Sequence, residues 1–305
     1  MSAEARQDFD CFGGRVAVSM RGEEGEARLA LARETLRDAH RRLSRFEPDS
    51  ELSRMNGDPR RVIPASPLLR RLVIAAYTAG ELSGGLVDAT LLDEIERLGY
   101  IDSVAPGQGP PPGNGAGRAP ASPSPKEGWR ALAVDEEAGC VVRPPGVRLD
   151  SGGIAKGLLA DIVGEQLADA RVFAVDCCGD IRFGGRAGLV RRVKVESPFG
   201  GAPLHELTLR EGAVATSGIT RRTWLGPGGR AAHQIIDPGT GAPAATGAVQ
   251  VTALAPSALH AEVFAKAALL AGPEGAEPWL PFGGVLVLED GGIEVFEGAD
   301  LPGTQ

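Results

Sequence analysis

The chain has 305 residues, 43% of them apolar and 24% charged, with a formal net charge of −8. That is enough apolar side chain to bury a core, so disorder of the whole chain is excluded, and the acidic balance disfavours a general nucleic-acid binder, which needs clustered Lys and Arg to displace counterions from phosphates. The opening residues MSAEARQDFDCFGG contain no apolar h-region and no stretch is long enough to span a bilayer, so a soluble, cytoplasmic protein without an integral membrane segment is expected.

In chain order, RVAVSM (15–20) alternates as a strand, and Gly22 leads into EARLALARETLRDAHRRLSRF, where apolar residues fall at helical spacing. Ser50 then suits a helix cap, with Ser53 and Asn56 adding hydrogen-bonding groups, and Ser66-Pro67 opens a second long helix. Asp88 and Thr90 follow a glycine pair; the aspartate reads either as an N-cap or as a carboxylate holding a ligand hydroxyl or amine. Residues 104–127 are rich in Pro, Gly, Ser and Ala without periodicity and read as a disordered surface insertion carrying no site.

Beyond Trp129, RALAVD and CVVRP read as strands, and LDSGGIAKGLLAD (149–161) as a strand end passing through two glycines into a helix. Glycines let backbone N–H groups approach a ligand, and a helix start favours anions. Lys156 in that first turn opposes the helix dipole, so its presence points to an anionic ligand rather than to helix stability. Strands are expected across FAVDCC, VKVESP, LHELTLR, GAVATSG and AVQVTAL, a helix across SALHAEVFAKAALLAG, and a closing hairpin from GGVLVLED and GIEVFEG. Strands and helices that do not alternate strictly indicate an α+β fold with mixed or antiparallel sheets and packed helices, in one unit over 1–305, with two interleaved lobes as a variant. Cys11, Cys140, Cys177 and Cys178 lack metal-ligand spacing and read as buried reduced thiols.

Taken together, these segments resemble the ApbE family, the FAD:protein FMN transferases. The matching residues are Ser50–Asn56, Gly85–Thr90, Asp150–Gly157, Gly179-Asp180, Thr216–Gly218 and His233–Gly241, in family order. The resemblance implies a T-fold-related architecture and transfer of the FMN half of FAD onto a Thr or Ser hydroxyl of a client flavoprotein, with release of AMP. Two other outcomes stay open: a non-catalytic FAD-binding or storage module, and an FAD pyrophosphatase giving FMN and AMP. It also implies FAD contacts at Phe12, Asp88, Asp150, Lys156 and Ile236. Phe12 stands where the family has a methionine, and either stacks on a flat ring or fills the core. His233 is the candidate to receive the hydroxyl proton, or else a structural histidine beside a Pro-Gly turn.

The family's magnesium site corresponds to the Gly153 carbonyl and to positions 262 and 266, which here hold Glu262 and Lys266. An ammonium is donor-only and repels a dication. Three readings follow: an i,i+4 ion pair, a lysine charge standing in for Mg2+, or a degenerate site that only binds FAD. The second is favoured, with Lys266 joining His233 in catalysis, and it is compatible with the first.

Overall fold

The computed structural model describes residues 4–104, 109 and 118–301. The chain begins with the hairpin β1 (Ala5–Cys11) and β2 (Gly14–Arg21), then α1 (Gly25–Leu43), α2 (Glu51–Gly57), the short β3 (Val62–Pro64), α3 (Pro67–Leu82) and α4 (Leu92–Arg97). β4 (Ala133–Asp135) and β5 (Cys140–Val142) precede α5 (Ala155–Gln166), β6 (Val172–Cys177), β7 (Asp180–Gly184), β8 (Arg191–Val195) and β9 (His205–Leu209). The last part holds β10 (Gly212–Gly218), β11 (Thr223–Leu225), β12 (Ala231–His233), β13 (Ala248–Ala255), α6 (Ala258–Ala271), β14 (Gly284–Leu288) and β15 (Ile293–Phe296).

Eight strands form one sheet in the order β1-β2-β6-β7-β10-β13-β14-β15, and every neighbouring pair is antiparallel. Helices α1, α5 and α6 pack against it and α3 lies over α5 and α6, so the α+β expectation holds. The stripe Leu29, Ala32, Leu36, Ala39 and Leu43 turns α1 onto the core, each buried leucine stabilising by about 2 kcal/mol relative to exposure. A separate apolar cluster joins Phe183, Val214 and Leu254 of the sheet to Val195, Leu207 and Leu209 of the β8–β9 hairpin. Among the described residues no helix is long and apolar enough to cross a membrane.

Three local expectations change. β1 was not foreseen: Ala5, Gln7, Phe9 and Cys11 turn inward in clean alternation with exposed Arg6, Asp8 and Asp10, but the polar Gln7 breaks the apolar alternation in the letters. The expected insertion at 104–127 lies partly outside the described residues, and from residue 118 the chain is fastened rather than loose: Ala119 N–H donates to Ala245 O, Ala121 N–H to Leu270 O, and Lys126 pairs with Glu94. Only Cys11 and Cys177 of the four thiols are buried; Cys140 and Cys178 are partly exposed.

Candidate active site

A cavity of about 900 Å³ opens beside the β1–β2 turn and is bounded by the C-terminal end of α1, the Asp150–Gly153 turn and α6. Its volume suits a small organic ligand. Phe12, Asp88, Asp150, Gly153, Lys156, Ile236 and Lys266 all line it, so seven of the nine site residues expected from sequence converge there. Glu262 sits directly behind that wall, and His233 is one residue away from lining residue Gln234.

The turn at the floor is held from three sides. Asn56 pairs through its amide with both backbone groups of Leu149 at 2.8 Å, so it fastens this segment rather than the turn of its own helix. Asp150 N–H donates to Ala89 O at 2.8 Å, and the Ser151 hydroxyl donates to Leu43 O at 2.8 Å. Ser151–Gly153 is a 3-10 turn capped by the Asp150 carboxylate, which accepts Gly152 N–H at 3.1 Å. Asp88 makes an Asx turn, its Oδ1 accepting the Thr90 N–H and hydroxyl at 2.8 and 2.6 Å; it does not cap α4, whose N-cap is Leu91. Its Oδ2 is buried without a partner among the described residues, and burial raises the carboxyl's pKa, as befits a group waiting for a ligand donor.

Four charges link α5, β7 and α6. Asp180 pairs with Lys156, Lys156 Nζ lies 3.2 Å from Glu262 Oε1, and the same oxygen lies 2.9 Å from Lys266 Nζ. Glu262 Oε2 accepts Gly157 N–H at 2.9 Å. Burial alone would lower the Lys156 pKa, but Asp180 and Glu262 hold it well above the ordinary lysine value. Burial raises the Asp180 carboxyl above the usual carboxylate range, against the pull of Lys156. The expectation that Lys156 offers a free charge to a phosphate is therefore revised: its charge is balanced by two carboxylates. Lys266 is the cation at the end of the row, and a Cβ built on Gly153 would come 3.7 Å from its Cε.

This geometry tests the magnesium site implied by resemblance. Both Glu262 oxygens are committed to donors, Lys266 has no lone pair to give, and among the described residues no group of three or more His, Cys, Asp or Glu could hold a metal ion. The donor set does not fit Mg2+.

His233 is 4% exposed and does not line the cavity. A carbonyl only accepts, so the 3.1 Å contact from Nε2 to Ala244 O is made by an Nε2–H, and Nδ1 has no hydrogen-bond partner among the described residues. Burial lowers the imidazole pKa to about 4, so the ring is neutral at pH 7. Its segment continues into Ile236, which bridges to Pro243 and faces the cavity.

Arg45 escaped the sequence reading. Its guanidinium lies 4.2 and 4.7 Å from the ring centroids of Phe46 and Tyr100, donates to Tyr100 O at 2.8 Å and stands 3.2 Å from Asp150. An arginine just past a helix end carries no signal of this, because such residues ordinarily favour the helix dipole from solvent.

Fold and site together define an α+β ligand-binding protein whose cavity joins an aromatic wall to a glycine-flanked floor carrying lysine donors, a combination suited to a nucleotide. The ApbE family profile matches residues 12–285, and the chain belongs to that family. It is 28% identical over 242 residues to the FAD:protein FMN transferase of Haemophilus influenzae, spanning 74% of this chain and 67% of that protein. The Treponema pallidum FAD:protein FMN transferase is 34% identical over 143 residues, 42% of this chain and 39% of that one. The solved ApbE protein of Thermotoga maritima superposes with a TM-score of 0.78 at 24% identity, covering 97% of each chain. The flavin transferase ApbE of Vibrio cholerae gives 0.74 at 22% identity over 98% of each. These superpositions bear out the fold.

Proposed function

We propose that this chain is an FAD:protein FMN transferase that moves FMN from FAD to a Thr or Ser hydroxyl of a client flavoprotein and releases AMP. The attacking oxygen forms a bond to the FMN phosphorus, the bond from that phosphorus to the AMP oxygen breaks, and the hydroxyl proton passes to a base. Little covalent chemistry falls to the protein, so its task is to position the ligand and offset phosphate charge.

The observation that carries this reading is the Lys266 ammonium set against Gly153 on the cavity floor. That ammonium, shared with the Glu262 carboxylate, is held there as a hydrogen-bond donor toward a pyrophosphate, while Lys156 and Asp180 balance the row behind it. Because the donors do not fit Mg2+, no step is routed through a metal. Phe12, Asp88, Asp150, Lys156 and Ile236 are assigned to FAD contact, Asp88 through its unpaired Oδ2. His233 is assigned the proton, on the ground that it lies one residue from lining residue Gln234 and is neutral at pH 7.

The test is AMP release from FAD with and without an acceptor flavoprotein, followed by the mass gain of one FMN on that acceptor, in EDTA and in Mg2+. Transfer that persists in EDTA supports the lysine charge. Transfer abolished by EDTA and restored by Mg2+ rules it out. Tight FAD binding with no AMP defines a storage module instead, and AMP without an acceptor defines a pyrophosphatase.

A further inference from the structure

The histidine that lines the cavity is not the one the sequence singles out. Of the chain's four histidines, at 40, 205, 233 and 260, only His40 contributes to the cavity wall. It sits in the last turn of α1, three residues before Leu43, whose carbonyl holds Ser151. The face of α1 that buries Leu36, Ala39 and Leu43 therefore flanks a position open to the cavity. Its imidazole is half-buried and has no hydrogen-bond or ion-pair partner among the described residues. Its ring nitrogens are not among the buried atoms left without a partner, so they are open to the cavity and able to bond a ligand there.

Phe12 stands next to it, edge-on to the imidazole with centroids 5.2 Å apart and planes at 89°. Phe12 has φ 56°, a left-handed conformation that a bulky residue adopts at a cost of about 1–3 kcal/mol and that clusters at ligand sites. Its carbonyl is held by Arg222 Nη2 at 2.9 Å, reaching from the far side of the sheet order after β10. A strained aromatic, a fastening arginine and an imidazole without a bonding partner among the described residues thus meet on one wall, three residues along α1 from the Leu43 carbonyl that holds Ser151 of the floor turn. Such a wall offers a flat apolar surface and, at its edge, a group able to donate or accept one hydrogen bond.

We propose that His40 and Phe12 form the flavin-ring wall of the cavity, His40 hydrogen-bonding the polar edge of the isoalloxazine while Phe12 packs against the ring. This rests on the FAD reading above and assigns its ring end to residues distinct from the phosphate floor. Desolvation lowers the His40 pKa, so the ring is neutral near pH 7 and keeps both a donor and an acceptor nitrogen.

The test uses the full chain and FAD, with His40→Leu and His40→Gln. The readouts are the dissociation constant and the visible absorption band of FAD at saturating protein. His40→Leu is expected to weaken FAD about tenfold and to shift the bound band, because a hydrogen bond to the chromophore is lost. His40→Gln is expected to regain most of both, since it keeps a hydrogen-bonding group and a good helix former. A bound-FAD band unchanged in His40→Leu overturns the proposal whatever the affinity does, because lost packing alone would lower affinity without removing a ring hydrogen bond. A Gln variant no better than Leu overturns it as well. Failure of the unaltered chain to bind FAD is a different result and refutes the proposed function itself.

Discussion

Glu262→Gln isolates the charge balance on which the proposed site depends. Glu262 is fully buried, its Oε1 lies 2.9 Å from Lys266 Nζ and 3.2 Å from Lys156 Nζ, and its Oε2 accepts Gly157 N–H at 2.9 Å. Glutamine keeps the shape and an acceptor for Gly157 but deletes the negative charge shared by two ammoniums. Removing one partner of a buried ion pair costs about 3–5 kcal/mol, and the retained hydrogen bond offsets about 1, leaving about 2–4 kcal/mol. At about 2.1 cal/mol/K per residue, 305 residues give an unfolding entropy of about 0.64 kcal/mol/K, so the midpoint should fall by about 3–6 °C. Calorimetry on the wild type, Glu262→Gln, Lys266→Met and the double variant checks this. The double variant should recover part of the loss, since the unpaired ammonium goes with the carboxylate. Burial alone would raise the Glu262 carboxyl, but Lys156 and Lys266 hold it below the usual range. Its contribution is therefore present above the unfolded value and lost as pH falls through the folded one, so the gap between variant and wild type should narrow below about pH 4.5. A Glu262→Gln midpoint within 1 °C of wild type at about pH 7, or strictly additive losses in the double variant, would refute the coupling.

Lys266→Thr should make FMN transfer respond to added Mg2+, and activity that is both unchanged and metal-indifferent would count against the lysine's role. His233→Asn should slow transfer by about 10²-fold or more while leaving FAD affinity within about twofold; an equal loss of affinity would instead show that the residue only fastens the Ile236 turn. Because burial lowers His233 to about 4, its contribution to stability is complete above about pH 6.5 and is lost as pH falls toward 4. His233→Gln should therefore flatten that acid limb by about 3 kcal/mol in denaturant titrations at several pH values. Gly157→Ala would set a Cβ 2.5 Å from Ala258 O, forcing α5 from α6; a loss of about 2–3 kcal/mol is expected, with weaker FAD binding, and urea midpoints plus FAD titration check it.

Much of this protein was legible in its letters because the physics involved is local. Ser50, Ser66 and Ser257 cap α2, α3 and α6 through contacts three residues away, and the apolar stripe of α1 is set by helical period alone. Gly153, Lys156, Glu262 and Lys266 could be grouped from a resemblance in motif order, and the helical spacing of the last two already implied their ion pair. β1 was hidden because the polar Gln7 takes an inward position, which breaks the apolar alternation in the letters although the paired strand alternates cleanly.

Only the tertiary structure decided how charges and rings are shared, because those properties depend on neighbours distant in sequence. Lys156 looked like a free phosphate ligand until Asp180, 24 residues on, and Glu262, 106 residues on, were found against it. His233 and His40 show the same limit in opposite directions. The motif histidine is buried with one fixed tautomer, whereas the unremarked one on α1 faces the cavity beside Phe12, 28 residues away in the chain. A residue's type and spacing fix what it is able to do; burial and the partners brought by folding determine which of those abilities is left unspent.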